Sequence, residues 1–103
     1  MTHVRFSSLG FTITGHCTAD ASDEQGRLVC ASISSAAYMT ANTITEIICD
    51  KADIEVDDGK MILKVKNPSD KTIALLEGFK LHVQQLEEQY KNCIKVYLEV
   101  QSC

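Results

Sequence analysis

The period of the apolar residues changes repeatedly along this chain, and that change limits the fold more than any other feature. Residues 3–6 and 11–15 alternate apolar with polar side chains, the period of a strand with one buried face. Ser7-Ser8-Leu9-Gly10 between them is turn-like, so the two runs predict a hairpin with Phe11 and Ile13 facing the core. From Val29 the apolar positions fall at 29, 33, 36, 37, 40, 44, 47 and 48, counting Thr40 for its methyl group. That is one helical face held for about five turns. Ala and Ser crowd its first half, which suggests close packing on a sheet. Residues 52–56 and 61–66 alternate again around Asp57-Asp58-Gly59, and an Asp-Gly pair accepts the positive φ of a tight hairpin turn. Asn67-Pro68-Ser69-Asp70 reads as a helix start, with Asn67 as cap, Pro68 in the first helical position and Asp70 suited to the helix dipole. Leu76, Phe79, Val83, Leu86 and Tyr90 then form a stripe, widened by Ile73 and Leu75. It reads as core, with a dimer contact as the lesser alternative. Last, Ile94, Val96, Leu98 and Val100 alternate with Lys95, Tyr97 and Glu99 in a final strand with one buried face.

The order ββαββαβ follows. Strands joined by hairpins pair antiparallel, so the expectation is an α+β fold. It has an antiparallel or mixed sheet of about five strands, covered on one or both faces by two long helices. A chain of 103 residues is one domain, 1–103, and buries roughly two-thirds of its unfolded surface.

Charge and cysteine content exclude several functions. A net charge of -4 argues against direct nucleic-acid binding, which needs clustered Lys and Arg. No apolar run approaches the roughly 20 residues of a membrane span, and no basic segment followed by an apolar stretch opens the chain. A cytoplasmic protein is expected. Cys17, Cys30, Cys49, Cys93 and Cys103 are odd in number and irregular in spacing, with no C-x-x-C pair. That pattern reads as reduced cytosolic thiols rather than a disulfide framework. His16 and Cys17 are no ligand pair, because neighbours in a strand point to opposite faces. No metal or other cofactor is expected.

Two pieces carry chemistry. Thr14-Gly15-His16 ends a strand, and Leu28-Val29-Cys30-Ala31-Ser32-Ile33-Ser34 opens a helix. The polar stretch 17–27 joins them as a loop. A cysteine in the opening turn of a helix lies near unpaired N–H groups, which favour the thiolate and can stabilise an oxyanion. His16, folded alongside, can accept the thiol proton. Against this stands the burial habit of free Cys, which usually behaves as a small hydrophobe. Cys49, Cys93 and Cys103 read as packing or surface thiols, His82 as solvated, and His3 says little. Ser34, one turn after Cys30, either bonds the thiol or a substrate or bonds back to its own helix.

The string Gly-His, a loop, hydrophobe-Val-Cys-Ala-x-Ile-Ser and then Asn42 resembles the ribosomal-processing cysteine proteases of the Prp family. The specific part spans residues 14–42, and the wider layout is similar over nearly the whole chain. The resemblance implies a cysteine endopeptidase that removes an N-terminal extension from a large-subunit ribosomal protein, cutting after a hydrophobic, aromatic-rich segment. It implies Cys30 as nucleophile and His16 as base. It also implies Gly15 as a point of close backbone approach, Ser34 as an accessory polar group, and a homodimer. Two positions depart from the family. Cys17 stands where Ala is usual after the His. Arg27 stands where Asp is usual three residues before the Cys, in a loop about two residues longer. A carboxylate near the His fixes its tautomer. Arg27 cannot do so, which leaves Asp20, Asp23 or Glu24 for that role and puts activity in question. The alternatives are a catalytically silent peptide-binding module of the same fold acting in ribosome assembly, and a thiol redox sensor built on Cys17 and Cys30.

Overall fold

The computed structural model describes residues 1–15 and 24–99. The expected order is present: β1 (Thr2–Ser7), β2 (Gly10–Thr14), α1 (Glu24–Asn42), β3 (Ala52–Asp57), β4 (Lys60–Val65), α2 (Asp70–Gln89) and β5 (Ile94–Leu98). The two hairpins pair antiparallel through β2 and β4, and β5 joins β1 in parallel. The sheet is therefore mixed, in the order β3-β4-β2-β1-β5. No helix among the described residues is long and apolar enough to cross a membrane.

Strand alternation and register put Val4, Phe6, Phe11, Met61, Leu63, Val65 and Ile94 on one face of the sheet. All are buried, in one cluster with Val29, Ile33, Ala37 and Ile44 of the first helical segment and Leu76, Phe79 and Val83 of α2. Both helices therefore cover the same face. Phe6, Phe11 and Phe79 meet at its centre, with ring centroids 4.6–6.4 Å apart. The opposite face is polar. There His3 Nδ1 lies 3.1 Å from the Tyr97 hydroxyl, and the Arg5 guanidinium sits 4.0 Å from the centre of the Tyr97 ring.

Several local expectations are corrected. The stretch 17–27 was expected to be loop throughout, yet α1 begins at Glu24. Glu24, Gln25 and Arg27 are exposed, so this turn has no apolar period to announce it, and all three are good helix formers. At its other end α1 widens into a π-helical turn, Thr43–Ile48. A five-residue repeat rotates the apolar face, so Ile44 is buried but Ile47 is 76% exposed, while Ala41 takes an unanticipated core position. The turn ends at Cys49, whose φ of 67° is left-handed and whose N–H donates to the Ile44 carbonyl. The second helix starts at Asp70 with Ser69 as its cap residue, so Asn67 and Pro68 lie outside it. Ser69 makes no side-chain capping bond of its own. Instead Asp50 Oδ2 accepts from the Ser69 N–H and hydroxyl, each at 2.8 Å, and from the Thr72 hydroxyl at 2.6 Å. The Thr72 bond first, then the two from Ser69, hold the Asp50 carboxyl below its ordinary pKa, against a smaller opposing effect of burial. Ile73 and Leu98, expected inside, are 45% and 51% exposed.

The second hairpin closes as its Asp-Gly pair predicts. Asp57 pairs with Lys60, leaving Asp58 and Gly59 as a two-residue turn in which Gly59 takes φ 73°.

Candidate active site

Cys30 lies in the second turn of α1, half-buried. This corrects its placement in the opening turn. An α-helix leaves its first four N–H groups without intrahelical partners, and here those belong to residues 24–27. The dipole also fades within the first turn. The helix end therefore does less for the Cys30 thiolate than its sequence position promised. Arg27 is exposed and three residues earlier, close enough in helical spacing to act on Cys30 by charge.

Cys30 is also disulfide-bonded, which corrects the expectation of reduced thiols throughout. Cys49 and Cys93 are both free, so neither is its partner. Cys49 is exposed, and Cys93 is half-buried with Sγ 3.9 Å from Gln25 Oε1.

A groove of about 220 Å³ opens beside Cys30. Cys30, Ser34 and Tyr38 line it from α1, each four residues from the last and so stacked on one helix face. Gly15 lines it from the end of β2, and Val56, Asp57, Gly59 and Lys60 from the second hairpin. Ile13, Ile33 and Met61 give it an apolar floor. Of the expected site residues, the groove thus joins Cys30, Gly15 and Ser34. Sequence reasoning missed Tyr38 and Val56, which are 46% and 52% exposed and give the groove an apolar, partly aromatic wall. The spacing 30, 34, 38 was the available signal for Tyr38. Asn42 is exposed, twelve residues along the helix from Cys30, or about 18 Å at the helical rise.

Gly15 is held from two sides. Its N–H donates to the Gly59 carbonyl at 3.1 Å, and a Cβ there would overlap the Met1 carbonyl oxygen. Its φ of 101° is one that L side chains rarely adopt. The close approach expected at this glycine is therefore made by the chain's own N-terminus. His16, which follows it, lies outside the described residues, as do Cys17, Asp20, Asp23 and Cys103. Glu24 is exposed in the first turn of α1.

Comparison with known proteins identifies the family and the fold. The family profile for cysteine protease Prp matches residues 1–95. No curated protein sequence matches the chain. Among solved structures, SMU.848 from Streptococcus mutans is similar at 21% identity and a TM-score of 0.85, covering 98% of this chain and 96% of that one. The essential ribosomal processing protease Prp from S. aureus, in complex with a substrate peptide, is similar at 20% identity and a TM-score of 0.80. The same protease with a covalently linked product peptide gives 20% and 0.78. In both of these complexes the match covers 95% of this chain and 97% of the other.

Proposed function

Because the chain belongs to the cysteine protease Prp family, we propose that it is an endopeptidase that removes the N-terminal extension of a large-subunit ribosomal protein. The family match over residues 1–95 carries this reading. It is supported by the S. aureus relative, a ribosomal processing protease captured with substrate and product peptides. Cys30 is the nucleophile. A dithiol reductant first passes two electrons and two protons to its disulfide, becoming a disulfide itself and releasing the Cys30 thiol. His16, next in the chain to groove-lining Gly15, takes the thiol proton. The thiolate attacks the scissile carbonyl, and His16 returns the proton to the leaving amine, giving a thioester on Cys30. Water, deprotonated by His16, hydrolyses it. Arg27 favours the thiolate and disfavours imidazolium, so an acidic residue among Asp20, Asp23 and Glu24 orients His16. Ser34 contacts the peptide beside Cys30, and Tyr38 with Val56 receives an aromatic or aliphatic side chain.

A homodimer belongs to this reading. The outward surfaces of both helices carry Leu28, Met39 and Leu81, each more than half exposed. Sedimentation at micromolar concentration tests it, and a monomer at all concentrations refutes it.

The deciding assay uses the reduced protein and a peptide spanning the extension junction of the ribosomal protein from the same genome. Cleavage is expected, is lost in Cys30→Ala and in His16→Ala, and is largely kept in Cys17→Ala. A wild type that binds without cutting, and cuts once Arg27 is replaced by Asp, establishes the silent peptide-binding module instead.

A further inference from the structure

β3 is the outer strand of the sheet, and no strand pairs with its far side among the described residues. Register fixes which backbone groups face outward. The Lys66 N–H donates to the Lys51 carbonyl at 3.0 Å, and the two strands then pair without a bulge from Ala52↔Val65 to Asp57↔Lys60. Bonded and non-bonded pairs alternate in an antiparallel ladder. Lys51–Lys66 is bonded, so Asp53, Glu55 and Asp57 bond to β4. Ala52, Ile54 and Val56 therefore turn their N–H and C=O groups toward the open edge.

Their side chains lie on the helix-bearing side of the sheet. The helices do not reach that far, and Ile54 is 41% and Val56 52% exposed. Val56 also lines the Cys30 groove, so the open edge runs directly into the candidate active site. A six-residue edge without proline or bulge, bearing exposed aliphatic groups, is the kind that sheet proteins usually blunt.

We propose that an extended segment of the substrate peptide adds to β3 as a sixth strand, bonded through the outward N–H and C=O groups of Ile54 and Val56. The inference rests on the peptidase reading for its occupant. A second copy pairing β3 with β3 fits less well. It would bring two rows of Asp53, Glu55 and Asp57 together on one face, and like charges across strands are destabilising. A peptide carries no such penalty and gains a selective contact. Asp53 and Asp57 stand opposite Lys64 and Lys60, whereas Glu55 stands opposite Ile62. Glu55 thus favours a Lys or Arg at the peptide position beside it, while alternate residues pack their apolar groups on Ile54 and Val56.

The test is a backbone N-methyl scan of the junction peptide. KM is measured with the reduced protein, and binding to Cys30→Ala by fluorescence anisotropy. Methylation at alternate positions should weaken KM and Kd about fivefold or more, with little effect at the positions between. Ile54→Pro removes one outward N–H without costing a β4 bond and should raise KM similarly. Glu55→Lys should exchange a preference for Lys at one peptide position for a preference for Glu. Cleavage without a two-residue period overturns the added strand and leaves the peptidase standing. A two-residue period in binding without cleavage upholds the strand and overturns the peptidase, and absence of both overturns both. Ile54→Pro that dissociates a dimer with KM unchanged assigns the edge to a second copy.

Discussion

Replacing Gly15 by Ala should cost this domain far more than one methyl group suggests. A residue with a Cβ pays about 1–2 kcal/mol for a left-handed backbone, and Gly15 sits at φ 101°. The added carbon would also overlap the Met1 carbonyl oxygen, backbone that cannot turn aside as a side chain does. Relief means moving the start of β1, where the Thr2 N–H bonds the Cys93 carbonyl at 2.8 Å, or loosening the 3.1 Å bond from Gly15 to Gly59. Each such bond is worth about 1 kcal/mol net. The sum is about 2–3 kcal/mol, and each kcal/mol shifts the midpoint of a domain this size by about 4–8 °C. Urea and thermal melts of the reduced protein read it directly. Gly78→Ala is the control of opposite sign. Gly78 is exposed within α2, a Cβ there meets nothing within 4 Å, and the change should stabilise by about 0.5–1 kcal/mol. A Gly15→Ala variant within about 1 kcal/mol of wild type would refute the reasoning, since the two contributions together exceed that.

Cys49→Gly relieves a left-handed residue whose side chain is exposed, and should raise stability by about 0.5–1 kcal/mol in urea melts. Asp50→Asn should be less stable than wild type at neutral pH. The folded-state pKa of Asp50 is lowered, so its contribution is complete above the ordinary value of 3.8 and fades as pH falls through the folded value; the two melting curves should converge below that range. Without reductant the protein should neither cleave the junction peptide nor lose Cys30 to iodoacetamide; after reduction, peptide mapping should find Cys30 alkylated first, before exposed Cys49.

The strand and helix order was legible because each element buries one face and so displays its period. What was not legible has physical causes. The pairing of β2 with β4 and the parallel β1–β5 ladder are long-range contacts that leave no local pattern. The first turn of α1 is exposed on residues 24 and 25, so its polar sequence looked like loop, and the error moved Cys30 into an opening turn it does not occupy. The π-helical turn broke a 3.6-residue extrapolation at Ile47. At Ser69, the bonds that hold the helix start come from Asp50 nineteen residues away, which no local cap signal records. Of the groove's lining, Cys30, Gly15 and Ser34 were named by local motif and helical spacing, whereas Val56 and Lys60 reach it through sheet pairing. The disulfide on Cys30 could not be read from irregular cysteine spacings.

Attack of Cys30 on a peptide carbonyl must pass through an acyl-enzyme. The most direct measurement quenches the reduced protein in acid during turnover of the junction peptide and maps any acyl adduct by mass spectrometry. The N-terminal fragment of the peptide is expected as a thioester on Cys30, absent in Cys30→Ala together with all cleavage. Product formed by Cys30→Ala at the wild-type rate, or an adduct on Cys49 or Cys93 with Cys30 unmodified, would contradict it.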